Sequence, residues 1–346
     1  MEKAAVSFVG KKSRPFEWLI EKSLGAVAFS SIIFITLIFI FVFREASTIF
    51  FHDSEKNKTP IVHEEYESYG DDEGKNNLDI PEELSEDFHE SKVGPKELLS
   101  SEWIPVSLRP KYGLLPLFMG SLKVALVALF IAAPFAIFAA LFTSSFAPAW
   151  LKETLKPVIE MLAAFPSVVV GFFALSVLAS LLQNLFGLQF RLNAFVGGVA
   201  LALAIIPVIY TISDDALTAV PASFVEASLA LGASKWQTVL FVVLPAALPG
   251  IFAAVLLGVG RAIGETMIVL MATGNAAMLS ANPFESVRTL SATIGAEMAE
   301  VVFGDMHYSV LFFIGVLLFI FSFTLCFVAE VVIRDRLMRK FRGGEG

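Results

Sequence analysis

The stretch GVGRAIGETMIVLMATGN sets a guanidinium at Arg261 and a carboxylate at Glu265 inside an otherwise apolar run. An Arg at the centre of a membrane-spanning helix costs ~2.5–3.5 kcal/mol on insertion scales, so its presence demands a compensating interaction. Two kinds of chemistry fit the spacing. In one, the two side chains neutralise each other across one helical turn, although Arg before Glu is the weaker order. In the other, Arg261 faces a translocation path and meets an anion while Glu265 orients the guanidinium. Planar guanidinium groups suit oxyanions such as phosphate. Further on, Arg288 with Thr289 beside it reads either as a guide for anions or as an ordinary interfacial anchor. Enzymatic chemistry is not suggested, because no His/Asp or Ser/His set lies together within the apolar stretches. The phosphate loop G-x4-G-K-[ST] is absent, and Gly10-Lys11-Lys12-Ser13 lacks its spacing. Gly258-Val259-Gly260-Arg261 resembles a dinucleotide-binding pattern only superficially, since no strand precedes it.

These residues need a membrane around them, and the composition supplies that expectation. Hydrophobic residues make up 56% of the 346 positions, charged residues 17%, and the mean hydropathy is +0.74. A soluble chain does not hide that much apolar side chain. The single cysteine, Cys326, excludes an internal disulfide and any cysteine metal cluster. Six spans are predicted, over 23–43, 114–141, 158–182, 194–212, 250–272 and 308–333. The first has no cleavage signal and reads as an uncleaved helix of about 30 Å. Gly260 and Gly264 in the fifth form a small-xxx-small pair suited to close helix packing.

Between the first two spans the composition inverts. From 44 to 112, seventeen Asp/Glu face eight Lys/Arg, a net −9 that exceeds the −8 of the whole chain. This stretch reads as a solvated, partly disordered insert. Its histidines, His52, His63 and His89, are irregularly spaced among competing charges and predict no metal site. Placing both termini in the cytoplasm puts thirteen Lys/Arg inside and ten outside, eight of the ten within the acidic insert, where the positive-inside rule counts poorly. The segment 213–249 is then cytoplasmic. The loop 273–307 is then external, and VRTLSATIGAEMAEVVF within it is apolar enough to dip back as a short helix.

The cytoplasmic segment is more elaborate than a chain reversal needs. In EASLALGASKWQTVLFVVLP, Gly232 suits the left-handed residue ending a helix begun near Pro221. Ser234 then opens a second helix, with Gln237 completing a capping box. Pro245 and Pro249 are expected to interrupt that helix. Phe224, Ala227 and Leu231 share one face of the first helix. An interfacial helix resting on headgroups is one reading, but there is no basic face and small residues abound, which favours docking into a cleft of a partner protein. Asp214 and Asp215, just upstream, are expected to interact with this segment rather than with an anion.

Glu226-Ala227-Ser228, Gly232-Ala233 and Leu244-Pro245 at their fixed spacing resemble the EAA signature of importer-type ABC permeases. Ser228 stands where the family has a second Ala, and Val242 where it usually has Ile. The stretches EMLAAFPSVVVGFFAL, SDDALTAVPASFVEASLALGAS, GRAIGETM and VRTLSATIGAEM are similar to the phosphate-specific members, the C-type subunit in particular. The resemblance covers roughly 102–333. It implies an all-α, six-helix type I importer permease in a bacterial inner membrane, with Glu226, Ala227, Ser228, Gly232, Ala233, Leu244 and Pro245 coupling to an ATPase. Arg261 and Glu265 match the charged pair of the family.

The resemblance further implies the partners: a homologous second permease subunit, two ATP-binding subunits carrying ATP and Mg, an extracytoplasmic phosphate-binding protein, phosphate and membrane lipid. No cofactor on this chain, no catalysis by it and no nucleic acid are expected. The acidic insert is a candidate for docking the binding protein. The expected organisation is a cytoplasmic segment 1–22, the first helix 23–43, the insert 44–113, the permease core 114–333 and a basic tail 334–346. Permeases for sulfate, molybdate or a phosphonate, and a secondary anion transporter or channel, are the alternatives.

Overall fold

The structure, a computed structural model, describes residues 15–51, 94–107 and 109–328. The acidic stretch with its three histidines, the segment 10–13 and the basic tail lie outside the described residues. Helix α1 is Pro15–Phe51. A short helix α2, Pro95–Leu98, precedes a hairpin of β1, Trp103–Ile104, and β2, Lys111–Tyr112, in which Trp103 pairs with Tyr112. Helix α3, Leu115–Leu141, runs on through a π turn at Phe142–Phe146. Helix α4 is Ala149–Met161, and α5, Ser167–Phe173, continues through a π turn into α6, Ala179–Phe186. Then come α7, Ala194–Thr218, α8, Ala222–Ala230, and α9, Lys235–Thr238, which passes through a π turn into α10, Leu244–Gly264. Helices α11, Met267–Ala272, α12, Leu290–Glu297, and α13, Met306–Val328, complete the order.

Among the described residues, six helices are long and apolar enough to cross a membrane: Lys22–Ile49, Leu115–Phe146, Ser167–Phe186, Ala194–Thr218, Lys235–Gly264 and Met306–Val328. Their number matches the sequence reading, while several limits move. The third does not begin at 158, because 149–161 forms the separate, amphipathic helix α4 and Pro166 restarts the chain before α5. The fifth begins at Lys235, since neither Pro245 nor Pro249 breaks it. Proline clashes with the carbonyl four residues back and offers no N–H. The Val239–Val243 π turn absorbs this by pairing the Leu244 N–H with the Val239 carbonyl, five residues away. Residues 94–112, expected in a solvated insert, instead fold into α2 and the hairpin.

The core is built around α7. On α3, Val124, Ala128, Ala132, Ala136 and Ala140 recur at every fourth position, and the four alanines are wholly buried. That spacing keeps them on one ridge, and their lack of bulk lets α7 bring in Leu201, Ile205 and Ile209. On the other side of α7, Gly250 and Gly258 of α10 admit Ala216 and Ile209; a Cβ at Gly258 would lie 2.7 Å from Ile209 Cδ1. Small residues spaced by four do make the close contact in this span, but at 250, 254 and 258. A Cβ at Gly260 would meet only Ser322 Oγ, at 3.8 Å, and one at Gly264 nothing at all. Helix α1 lies on the periphery against α13, where Phe39 meets Phe319 edge-on at 4.5 Å and Thr48 Oγ1 donates to Ser309 Oγ at 2.7 Å.

A second cluster closes the end of the bundle where α3 and α13 begin. Tyr112, Leu117, Leu290, Val310 and Ile314 gather there around a polar knot. Glu297 binds Arg288 Nη2 at 2.6 Å and His307 Nε2 at 2.9 Å, and accepts from Trp103 Nε1 at 3.2 Å. Burial pushes its carboxyl up, but the His307 hydrogen bond, the Arg288 charge and Trp103 outweigh it, and the net pKa falls below the ordinary 4.5. The same burial, with nearby carboxylates, raises the Tyr112 hydroxyl to about 12.

Two outcomes follow from this packing. Ala132→Leu overfills the α3–α7 contact and should destabilise the protein by about 1–3 kcal/mol, read as a lower denaturation midpoint in detergent. Phe135→Leu, at a position 69% exposed, should leave that midpoint unchanged. Because Glu297 is lowered in the folded state, the stability it contributes is complete above its unfolded pKa and lost as pH falls through the folded one. The deficit of Glu297→Gln relative to wild type should therefore be largest at neutral pH and shrink once the pH drops below about 4.5.

Candidate functional site

Arg261 lies in the last turn of α10. Gly250 stands against Ala216 and Gly258 against Ile209, so α10 and α7 pass antiparallel. Continuing that register brings Arg261 level with Ile205 and Ile206, midway along α7. Leu257, Arg261 and Gly264 are exposed and share one face of α10. No hydrogen bond or ion pair reaches the guanidinium among the described residues.

The expected partner, Glu265, is elsewhere. Its backbone leaves the helix at φ −70° and ψ 131°, so the one-turn spacing no longer brings its carboxylate over Arg261. Glu265 Oε1 instead accepts from the Ile268 N–H at 3.5 Å, in the first turn of α11. Its carbonyl accepts from Ser291 Oγ at 2.6 Å. Ser291 belongs to α12, the short helix expected within 273–307, which does fold back on the bundle: the Leu290 N–H donates to the buried Ser121 Oγ at 2.9 Å. A broken helix among apolar helices must have its freed backbone groups satisfied by protein, and Ser291 does this for Glu265.

Arg288 and Thr289 do not join Arg261. Arg288 is held by Glu297, and Thr289, 2% exposed, caps α12 by accepting from the Ala292 N–H at 3.2 Å. The polar knot that occupies Arg288 went unread in the sequence, because Trp103 lies 194 residues from Glu297, and Glu297 and His307, ten apart, stand on different helices.

The EAA-like segment folds largely as its local signals indicate. Helix α8 ends at a Gly232 with φ +86°, and the Ala233 N–H reaches back to the Ser228 carbonyl at 3.2 Å. Ser234 and Gln237 form the full capping box. Pro221 is the residue before the helix rather than a member of it. Ser228 and Thr238 hydroxyls meet at 3.0 Å and pin α8 to α9. On the face that Phe224, Ala227 and Leu231 share, Phe224 is 53% exposed and Leu231 90%, while Val225 turns inward. Glu226 and Ala227 are exposed as well, and Leu244 and Pro245 sit half-buried within the continuous helix. An apolar face thus stands uncovered at this end of the bundle.

Asp214 does not contact α8. It is buried, accepts from Thr143 Oγ1 at 3.2 Å and binds Lys156 Nζ at 3.1 Å; Asp215, exposed, lies 3.7 Å from the same ammonium. The hydrogen bond to Asp214 holds Lys156 above its ordinary pKa.

Comparison with known proteins agrees with this arrangement. The Probable ABC transporter permease protein YqgH of Bacillus subtilis (strain 168) is 40% identical over 232 residues, 67% of this chain and 75% of its own. The Phosphate transport system permease protein PstC of Haemophilus influenzae is 34% identical over 266 residues, 71% of this chain and 81% of its own. In fold alone, a chain of a bacterial ABC transporter involved in the import of the acidic polysaccharide alginate matches with a TM-score of 0.57 at 13% identity, over 93% of this chain and 96% of that one. Residues 132–340 match the family model for the binding-protein-dependent transport system inner membrane component. This chain, with its broken fifth span and its exposed α8, belongs to that family.

Proposed function

We propose that this chain is a permease subunit of an ATP-driven phosphate importer and forms half of the translocation pathway. The observation that carries the reading is Arg261: a guanidinium with no partner among the described residues, level with the middle of α7, on a face that those residues leave open. Relatives named as phosphate transport permeases support the substrate class. The open face is completed by a homologous second permease. Both termini and α8 are cytoplasmic, in a bacterial inner membrane, and the polar knot around Glu297 is external.

The cargo is an anion that this chain contacts but does not transform. ATP and Mg are bound and ATP is hydrolysed on two separate subunits, whose groove receives α8 through Phe224, Glu226, Ala227 and Leu231. A phosphate-binding protein delivers the anion from outside, which sidesteps the repulsion of the acidic stretch. Movement of α8 reaches Arg261 along one continuous helix, Lys235–Gly264, about 45 Å long at ~1.5 Å per residue. Alternating access follows as the two permease halves rock about the site.

In that cycle Arg261 offers two parallel donors to a phosphate oxyanion. Glu265 acts by ending the helix one turn beyond Arg261 and carrying the chain to α12. Arg288 and Thr289 shape the external mouth, the first through Glu297 and the second by capping α12.

ATP-dependent phosphate uptake by the reconstituted complex tests the reading. Arg261→Gln should lower uptake about tenfold or more, with Arg261→Lys intermediate because it keeps charge without the planar fork. Normal assembly with wild-type uptake in both Arg261→Gln and Glu265→Gln would remove the proposed path. Stronger competition by sulfate, molybdate or a phosphonate than by unlabelled phosphate would reassign the substrate. Gly232→Val should abolish ATP-driven uptake, since a β-branched residue at positive φ costs about 1–3 kcal/mol or distorts the turn. Gly232→Asn, which tolerates that conformation, should retain most of it.

A further inference from the structure

The π turn Phe142–Phe146 touches both the segment that follows α8 and the buried charge on α7. At one end of the turn, the Phe146 ring packs against Trp236 with centroids 5.5 Å apart, and Lys235 Nζ lies 5.7 Å from the Phe146 centroid. Trp236 and Lys235 stand just after the Gly232 turn. Three residues before Phe146, Thr143 is 1% exposed and its hydroxyl is 3.2 Å from Asp214 Oδ1. Tyr210, on the same helix as Asp214, donates its hydroxyl to Thr143 Oγ1 at 3.1 Å. Asp214 Oδ2 closes the chain on Lys156 of α4, whose side chain is 34% exposed against 1% for Asp214.

A carboxylate this deeply buried is tolerated only when paired and hydrogen-bonded, so it holds Thr143 and Lys156 in one arrangement. The i→i+5 winding makes the turn connecting them the least regular part of α3.

We propose that Thr143, Asp214 and Lys156, with Phe146 as the contact to Trp236, form a latch that transmits displacement of the ATPase-facing segment sideways into α3 and α4. This rests on the importer reading above and adds a second route beside the continuous Lys235–Gly264 helix. Asp214, Thr143 and Lys156 are positioning residues: none touches the anion. When Trp236 moves, Phe146 turns the end of α3 with it, and the Asp214–Lys156 pair makes α4 and the end of α7 follow. Without the pair, α10 still moves while α3 and α4 lag, so ATP is hydrolysed with less phosphate moved.

The test is phosphate transported per ATP hydrolysed, measured with the full reconstituted complex for wild type, Asp214→Asn, Lys156→Gln, Thr143→Val and the Asp214→Asn/Lys156→Gln double variant. Each single variant should lower the ratio about fivefold or more, the low end of ordinary coupling between sites, while ATP hydrolysis persists. The double variant should be no worse than the poorer single, because both remove one interaction. Glu153→Gln, at an exposed position of α4 outside the latch, should keep the wild-type ratio. An unchanged ratio in Lys156→Gln, or Asp214 and Lys156 effects that multiply in the double variant, overturns the latch. Should Asp214→Asn not assemble, Lys156→Gln alone decides, since its partly exposed side chain leaves a solvated gap. A wild-type complex without ATP-dependent phosphate uptake overturns the importer reading instead, and the two failures are separately visible.

Discussion

The closeness of α7 to its two neighbours is the contact on which the rest of the structure depends. In lipid no hydrophobic effect presses helices together, so association rests on how intimately surfaces meet. Side chains no larger than a methyl group do this on both sides: the alanine ridge of α3 and the Gly250, Ala254 and Gly258 stripe of α10. With α7 so gripped, α10 takes a fixed register on it. That register places Arg261 level with the middle of α7 and turns Leu257, Arg261 and Gly264 away from this chain's own core.

Backbone accounting then explains the irregular places. Away from water, each freed N–H and C=O needs a partner within the protein. The three π turns keep the chain helical at Phe142–Phe146, Ala174–Leu178 and Val239–Val243 by pairing groups five residues apart. Glu265 is a true break, and its carbonyl is satisfied from outside the helix by Ser291. Helix α12 is thereby more than a plug in a loop. Capped by Thr289, anchored through Ser121 and tied by Glu297 to Arg288 and His307, it is a rigid shelf that supports the break beside Arg261.

What could be read from the sequence tracks the range of the interaction involved. The six apolar runs, the Gly232 turn and the Ser234–Gln237 capping box are written in consecutive residues, and the structure contains all of them. The pairing of Arg261 with Glu265 looked local as well, but it assumed an uninterrupted helix, whereas the chain breaks there and its carbonyl is satisfied by a hydroxyl twenty-six residues on. Likewise Pro245 carried a stop signal that the preceding π turn cancels. Trp103, Glu297 and His307, or Thr143, Lys156 and Asp214, meet only after the helices pack. For the face of α8 the sequence is limited in a related way: amphipathicity shows which face is apolar, not whether this chain or a partner covers it.

The two ends of the fifth span differ in a way that bears on how force and cargo meet. At the α8 end the helix runs on past two prolines by way of the Val239–Val243 π turn, so on the proposed function a push at Trp236 reaches Arg261 along one helix. Just beyond Arg261 the helix stops, and the chain is held by α12 instead of continuing the lever. On the proposed function, a helix ending against α12 concentrates displacement at its last turn, where the guanidinium has no partner among the described residues. An arginine beyond Glu265 would lie past the break whose carbonyl Ser291 satisfies. Position 261 lies in the last turn of this helix, on its exposed face, so on the proposed function the arginine stands where movement of α8 changes what it touches.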